Sequence, residues 1–511
     1  MNHSFKLLIN TGSSYLRIIA NGIVSIIVTR IALNALGVDN FGLYNLLAGT
    51  IALLSFVNTA LLLSSQRYFS IALGKNDQGL LQTYFSCSVM IHLLLSIIIA
   101  IILLLIQPIL FHSLLNIKED QSEVAYIIYQ IMILSTCVTM NCVPFAALMN
   151  AYEDIAVLSF INIGSYIIRL LAAISLLFVN SNLLIIFSCI ICLSILFKLI
   201  SEFLWCKIKY KNICIGIREN FNKKICKEIF GFAGWNTLGA FSVIIRDEGV
   251  AVELNYFFGT AINASYGIAN QVNSLVLSFA ASLSSVFTPS IIQAKGAGNN
   301  DKMRFLSTFT SKLSFLLAAM MALPILSFLP SILRLWLHEV PNYTEIFCRY
   351  IILCFLIQML YSGINRMIYA YGKIRNYQFG MFICFVSILP IGALLFHKLS
   401  NLPELIFSIM IVSQIGVLIL TVYTAKRKCG LNLKEFFIHG ILVPVIIFGI
   451  SYWICNNLYS NISINYDLMT IIFNSIIIDF LLIITYYILV FNKTEKKQIL
   501  ILWNNIKSKL L

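Results

Sequence analysis

Apolar runs of about twenty residues or more fill this chain, punctuated by short polar segments. An α-helix needs about 20 apolar residues to cross the ~30 Å hydrocarbon core of a bilayer. Spans therefore fall at roughly 12–34, 43–68, 83–108, 124–149, 156–180 and 182–206. Six more fall at 228–254, 262–288, 310–335, 345–370, 375–397 and 403–425, and a last two at 436–458 and 468–491, about 14 in all. Backbone groups in lipid must bond internally, which leaves helices or closed barrels. These runs are too long and too evenly apolar for barrel strands, which alternate. The expected fold class is an all-α polytopic membrane protein.

Composition agrees. The 511 residues are 59% hydrophobic and 11% charged, against about 25% charged in soluble domains. No loop exceeds about two dozen residues, so there is no room for an extramembrane catalytic or nucleotide-binding domain, and no GxxxxGK[ST] phosphate loop is present. The net charge of +14 is arranged for a membrane rather than for nucleic acid. Lys75, the run Lys207 to Lys227, Lys295 to Arg304, Lys373, Arg375, Lys426 to Lys434 and the tail lie in alternate loops; the other loops carry mostly acids. Lys and Arg gather on the cytoplasmic side, which places both termini there. Cys189 and Cys192 form a CxxC inside IIFSCIICLSILF, where packing is the expected role. Neither a metal nor a cofactor is expected.

The chain repeats itself. SIALGKND, ending at Asp77, parallels QAKGAGNND, ending at Asp301; aligning Gly74 with Gly298 superposes their Asn-Asp pairs. Gly37 to Tyr44 parallels Gly259 to Tyr266, and NAYEDI at 150–155 parallels YAYGKI at 369–374. Six spans separate the copies, an even number, so the halves are parallel repeats. In transporters so built, the substrate site lies between the halves and access alternates. The expected domains are residues 1–225, 226–430 and 431–511.

Charges inside spans carry the candidate chemistry, since each costs roughly 2.5–3.5 kcal/mol at mid-membrane and must face protein or water. Arg30, Arg67, Arg169, Arg246, Asp247, Glu248 and Arg366 are the candidate cavity residues. Arg169 sits midway along its span. Arg246, Asp247 and Glu248 are consecutive, so they point about 100° apart and cannot all face one cavity. Arg246 and Glu253, seven apart, share a face. His92 reads as a hydrogen-bonded helix histidine. Together with many span Asn and Gln residues, the arginines suit a wet cavity. No catalytic residue is expected.

GWN at 234–236, NYFFGTAINASYGIANQV at 255–272, FTPSI at 287–291, AGNND at 297–301, LWLHEVPNYT at 335–344 and FGLYNLL at 41–47 resemble the O-antigen and polysaccharide flippases of the multidrug/oligosaccharidyl-lipid/polysaccharide (MOP) exporter superfamily. The resemblance implies a V-shaped bundle of two six-helix lobes plus two C-terminal helices. It implies movement of undecaprenyl-diphosphate-linked oligosaccharide across a bacterial inner membrane, without bond chemistry. Arginine suits a diphosphate because its fork donates bidentately. Implied partners are the lipid-linked cargo, membrane lipids, and polysaccharide polymerase and chain-length proteins, with H⁺ or Na⁺ as candidate coupling ions. Alternatives are a peptidoglycan-precursor flippase, a cation-coupled multidrug exporter of the same superfamily, and, more remotely, a membrane polysaccharide polymerase or ligase.

Overall fold

The computed structural model describes residues 3–52, 55–111, 122–179, 182–214, 220–337, 340–398, 402–460, 468–497 and 500. Every regular element among them is helical. Contacts divide the chain into two compact units, Ile9–Thr237 and Met1–Leu8 with Leu238–Leu511.

The N-terminal unit holds α1 (His3–Ala52) from Ile9 onward, α2 (Ser55–Gly74), α3 (Gln78–Ile109), α4 (Ser122–Ala151), α5 (Ile155–Ser175), α6 (Leu183–Lys209), the short α7 (Lys211–Cys214) and the start of α8 (Lys223–Phe258). The C-terminal unit continues through α9 (Thr260–Gly296), α10 (Asn300–Ser327), α11 (Leu329–Trp336), α12 (Thr344–Leu360), α13 (Ser362–Tyr371), α14 (Arg375–Val386), α15 (Ile388–Lys398) and α16 (Leu405–Cys429). It ends with α17 (Leu433–Glu435), a π-helical segment (Phe436–Leu442), α18 (Val443–Ser460) and α19 (Leu468–Leu489).

Twelve described helices are long and apolar enough to cross a membrane, or thirteen when α12 and α13, bent by 46°, count as one span. Large apolar side chains cover their outer faces, among them Ile26, Phe160, Val412 and Phe473. A contiguous apolar exterior of this kind needs lipid around it. This is a multi-pass membrane protein.

The span expected at 43–68 lies partly outside the described residues, which stop at Ala52 and resume at Ser55. The break expected between 34 and 43 is absent, because the α1 backbone stays helical to Ala52. Beyond it, α2 reads SFVNTALLLSSQRYFSIALG, and Ser64 through Ser70 are all buried. Protein, not lipid, surrounds these two turns, so polar residues are tolerated when they find partners. Ser65 shares a 2.8 Å hydrogen bond with Ser88 of α3. The Ser64 hydroxyl donates to the Ile229 carbonyl at 3.3 Å.

The internal repeat is visible in the backbone, with a two-residue correction to its register. After α2, the amides of Lys75, Asn76 and Asp77 bond to the carbonyls of Ile71, Leu73 and Ala72. After α9, those of Ala297, Gly298 and Asn299 bond to Gln293, Lys295 and Ala294. The two turns superpose with Asp77 on Asn299, not on Asp301. Asn76 and Gly298 both take left-handed φ, +56° and +76°. Asp77 and Asn299 both cap the next helix, accepting from the third amide onward at 2.9 Å. The sequence alignment followed the paired Asn-Asp letters, whereas the fold follows the residue that can cap. The same bonding recurs a third time at Tyr152, Glu153 and Asp154, with Glu153 at φ +60°. Gly372, at φ +91°, occupies the matching place in the C-terminal half.

The kink between α12 and α13 has its own support. A helix start leaves amides without intrahelical acceptors. Here the Ser311 hydroxyl of α10 accepts from Gly363 N at 3.0 Å and Ile364 N at 3.3 Å. A Cβ on Gly363 would lie 2.1 Å from the Ser307 carbonyl oxygen. Glycine is what lets α13 approach α10 closely enough to be capped.

Candidate functional site

A cavity of about 110 Å³ with a mixed polar and apolar lining lies inside the C-terminal unit. Arg246 and Val243 of α8, Ser284 of α9, Gln358 of α12, Tyr361, Asn365 and Arg366 of α13, and Phe385 of α14 line it. Arg246 and Arg366, 120 positions apart in the chain, thus share one wall system.

Their electrostatic situations differ. Arg246 turns back on its neighbour, donating from Nε to Asp247 Oδ1 at 2.7 Å and from Nη2 to Asp247 Oδ2 at 3.1 Å. Its guanidinium lies 4.8 Å from the Phe385 ring centroid, a geometry in which the ring face attracts the cation. Tyr266 OH donates to the Asp247 backbone carbonyl at 3.0 Å and steadies the turn of helix that carries the pair. Arg366 has no acidic partner among the described residues. Asn365 brings a buried amide oxygen with no hydrogen-bond partner among the described residues. The cavity therefore holds one neutralised cation, one unneutralised cation and several amide and hydroxyl groups.

The other candidates are dispersed. Glu248 is exposed, on a different face of α8. Arg67 is only 8% exposed, and its guanidinium sits between the rings of Tyr68 at 4.8 Å and Phe232 at 4.6 Å. Tyr68 OH donates to Glu228 Oε1 at 3.3 Å, so that cluster also carries an acid. Arg169 is half-buried on α5, and Arg30 is exposed on α1. His92 is buried, with Nδ1 2.7 Å from the Ser88 carbonyl. Among the described residues, no group of three or more His, Cys, Asp or Glu side chains could hold a metal ion.

Glu253 was legible only as a companion of Arg246 on one face, yet Arg246 takes Asp247 instead. Glu253 is 8% exposed, and neither carboxylate oxygen has a hydrogen-bond partner among the described residues. It fills the space left by Gly392 of α15, where a Cβ would come within 2.6 Å of Oε1. Glu202 of α6 is fully buried, with Lys198 at 3.8 Å.

A second cluster stands at the end of α6. Asp154 accepts from Lys209 Nζ at 2.5 Å and from Tyr210 OH. Burial first, then the Asp154 carboxylate, pushes the Tyr210 hydroxyl well above its usual pKa. Asn10 ties α1 to this corner, donating to the Glu153 carbonyl at 2.7 Å and accepting from Ala156 N at 3.0 Å.

Residues 252–395 match the MatE family model. A MATE structure in the bent conformation aligns with a TM-score of 0.73 at 14% identity, over 84% of this chain and 95% of that one. The outward-facing form of a multidrug resistance MATE family transporter of the MOP superfamily aligns at 0.71 and 14% identity, over 84% and 94%. A MOP superfamily transporter from Pyrococcus furiosus, described as having a binding pocket of reverse polarity that suggests a different function, aligns at 0.69 and 14% identity, over 84% and 95%. The fold is that of the MATE transporters. No curated protein sequence matches the chain. The superfamily named from sequence is thus supported by its fold and by the MatE match, whereas the flippase subtype is not.

Proposed function

We propose that this protein is a membrane transporter that exports amphiphilic cargo by alternating access of its two halves. The observation that carries the reading is the MATE fold over 84% of the chain, together with the MatE match at 252–395. The exporter form needs an intramembrane acid to couple a cation. Asp247 and Glu248 are the acids among the candidate cavity residues read from the sequence. Asp247 is consumed by Arg246 and Glu248 is exposed, so Glu253, buried and without a hydrogen-bond partner among the described residues, takes that role. Dye and drug efflux from cells lacking their own exporters tests it. Efflux that depends on the chain and fails in Glu253→Gln is expected; efflux unchanged by that substitution removes Glu253 from coupling.

A second reading is favoured by one feature of this chain. Arg366 has no acidic partner among the described residues, and it faces a cavity that also contains Arg246 and amides. Such a site prefers an anionic head to a cationic drug. The corresponding cargo is undecaprenyl-diphosphate-linked oligosaccharide, whose diphosphate would meet the arginines while its tail stayed in lipid. At about 110 Å³ the cavity accommodates a phosphate group, not a whole glycan. Restoration of surface polysaccharide in a flippase-deficient bacterium, with no gain in drug resistance, would select this reading over the exporter.

A further inference from the structure

An apolar groove of about 680 Å³ runs along the surface of the C-terminal unit between α16 and the π-helical segment. It falls within the ~300–1,000 Å³ typical of ligand pockets. One wall is a single face of α16, with Ile415, Ile419, Val422 and Tyr423 leading to Lys426 and Arg427. The other wall presents Leu433, Phe437 and Ile441.

The groove has a local cause. Pro444 offers no amide to the Gly440 carbonyl, and its ring crowds that carbonyl, which disrupts a regular α-helix just upstream. The chain widens into a π turn there, with the Val443 amide bonding to the Ile438 carbonyl five residues back. Gly440 admits the widening: a Cβ there would lie 2.7 Å from the Phe436 ring. Phe436 turns inward and is 2% exposed, leaving Phe437 and Ile441 to form the outer wall. Single π turns of this sort often mark functional sites.

From Ile415 to Lys426 the wall rises about 16 Å at ~1.5 Å per residue, one leaflet of a ~30 Å hydrocarbon core. The apolar length is thus one acyl chain deep, and its end carries two cations. Basic residues in a last helical turn also complement the helix dipole; Lys428 is engaged elsewhere, donating to the Lys373 carbonyl. Lys426 and Arg427, by contrast, have no acidic partner among the described residues; Arg427 rests 5.1 Å from the Tyr423 ring centroid.

We infer that this groove is a binding site for an anionic diacyl phospholipid, with an acyl chain between α16 and the π segment and the phosphate at Lys426 and Arg427. The site lies outside the cavity of Arg246 and Arg366 and does not depend on which cargo the protein moves.

Native mass spectrometry of the purified full-length protein, titrated with phosphatidylglycerol or phosphatidylcholine, tests it. Phosphatidylglycerol should be retained preferentially. Each basic residue near an anionic group contributes about fivefold, so the Lys426→Gln/Arg427→Gln double variant should lose that preference by about 25-fold. Ile419→Trp, at a position 63% exposed, should abolish retention of phosphatidylglycerol by filling the groove while leaving the melting temperature unchanged. Equal retention of the two lipids overturns the inference. So does phosphatidylglycerol retention that survives Ile419→Trp, because diffuse surface charge would then explain it. Displacement of phosphatidylglycerol by equimolar polyprenyl phosphate would also overturn it, since the groove would then belong to a different lipid.

Discussion

Lys312 and Glu495, 183 positions apart, form a buried ion pair, with Nζ 2.9 Å from Oε1 and 2.8 Å from Oε2. Glu495 also accepts from Asn492 N at 2.8 Å while Asn492 Oδ1 accepts from Glu495 N at 2.8 Å, the reciprocal arrangement of a capping box. Tyr486 OH donates to the Lys312 carbonyl at 2.8 Å. The segment after α19 is thereby fastened to the middle of α10. Removing one member leaves the other charge buried, at a cost of about 3–5 kcal/mol. Glu495→Ala should therefore lower the melting temperature in detergent sharply. Adding Lys312→Met to it should recover most of the loss.

The close crossing at Gly363 should be just as intolerant. Gly363→Ala drives a methyl into the Ser307 backbone and should cost about 1–3 kcal/mol or prevent folding. Gly234→Ala, with nothing within 4 Å of its Cβ position, is the control. It should be neutral or stabilising by about 1 kcal/mol. Fluorescence-detected size-exclusion chromatography after heating separates the two.

The repeated turns make a matched test. Asp77→Ala and Asn299→Ala should each cost about 1 kcal/mol through loss of a cap. Asp301→Ala, aligned with Asp77 by letters alone, should cost less, because its exposed carboxylate bonds only Arg304. A cap-sized loss at Asp301 would return the repeat to its sequence register.

Within the cavity, Arg366→Ala should reduce transport of an anionic cargo by tenfold or more while leaving protein abundance unchanged. Arg366→Lys should recover only part, since the ammonium cannot reproduce the bidentate fork. Arg30→Ala, on an exposed position of α1, should leave transport near wild type. Cellular transport assays normalised to membrane-inserted protein provide the readout.

The spans, the helical class and the turn motifs were legible because apolar run length and capping letters are local properties. The burial of Ser64 through Ser70 was not legible, because hydropathy measures preference for lipid and these residues meet protein. The depth of Arg246 could be read from its run. Its bidentate grip on the very next residue could not, since adjacent helical positions point apart and the side chain has to fold back. Nor could the chain announce Lys312 with Glu495, or Arg366 with Arg246, where the partner lies more than a hundred residues away. Arg366 reads equally well as a residue reaching for a membrane surface until the kink at Tyr361 and Ser362 sets its direction.

The burial of α2 also bears on how the protein is made. Gln66 and Arg67, amid Ser64, Ser65 and Ser70, gain little from contact with lipid. Their surroundings are complete only when α3 and α4 pack against α2, so this stretch reaches its final environment after the helices that follow it in the chain.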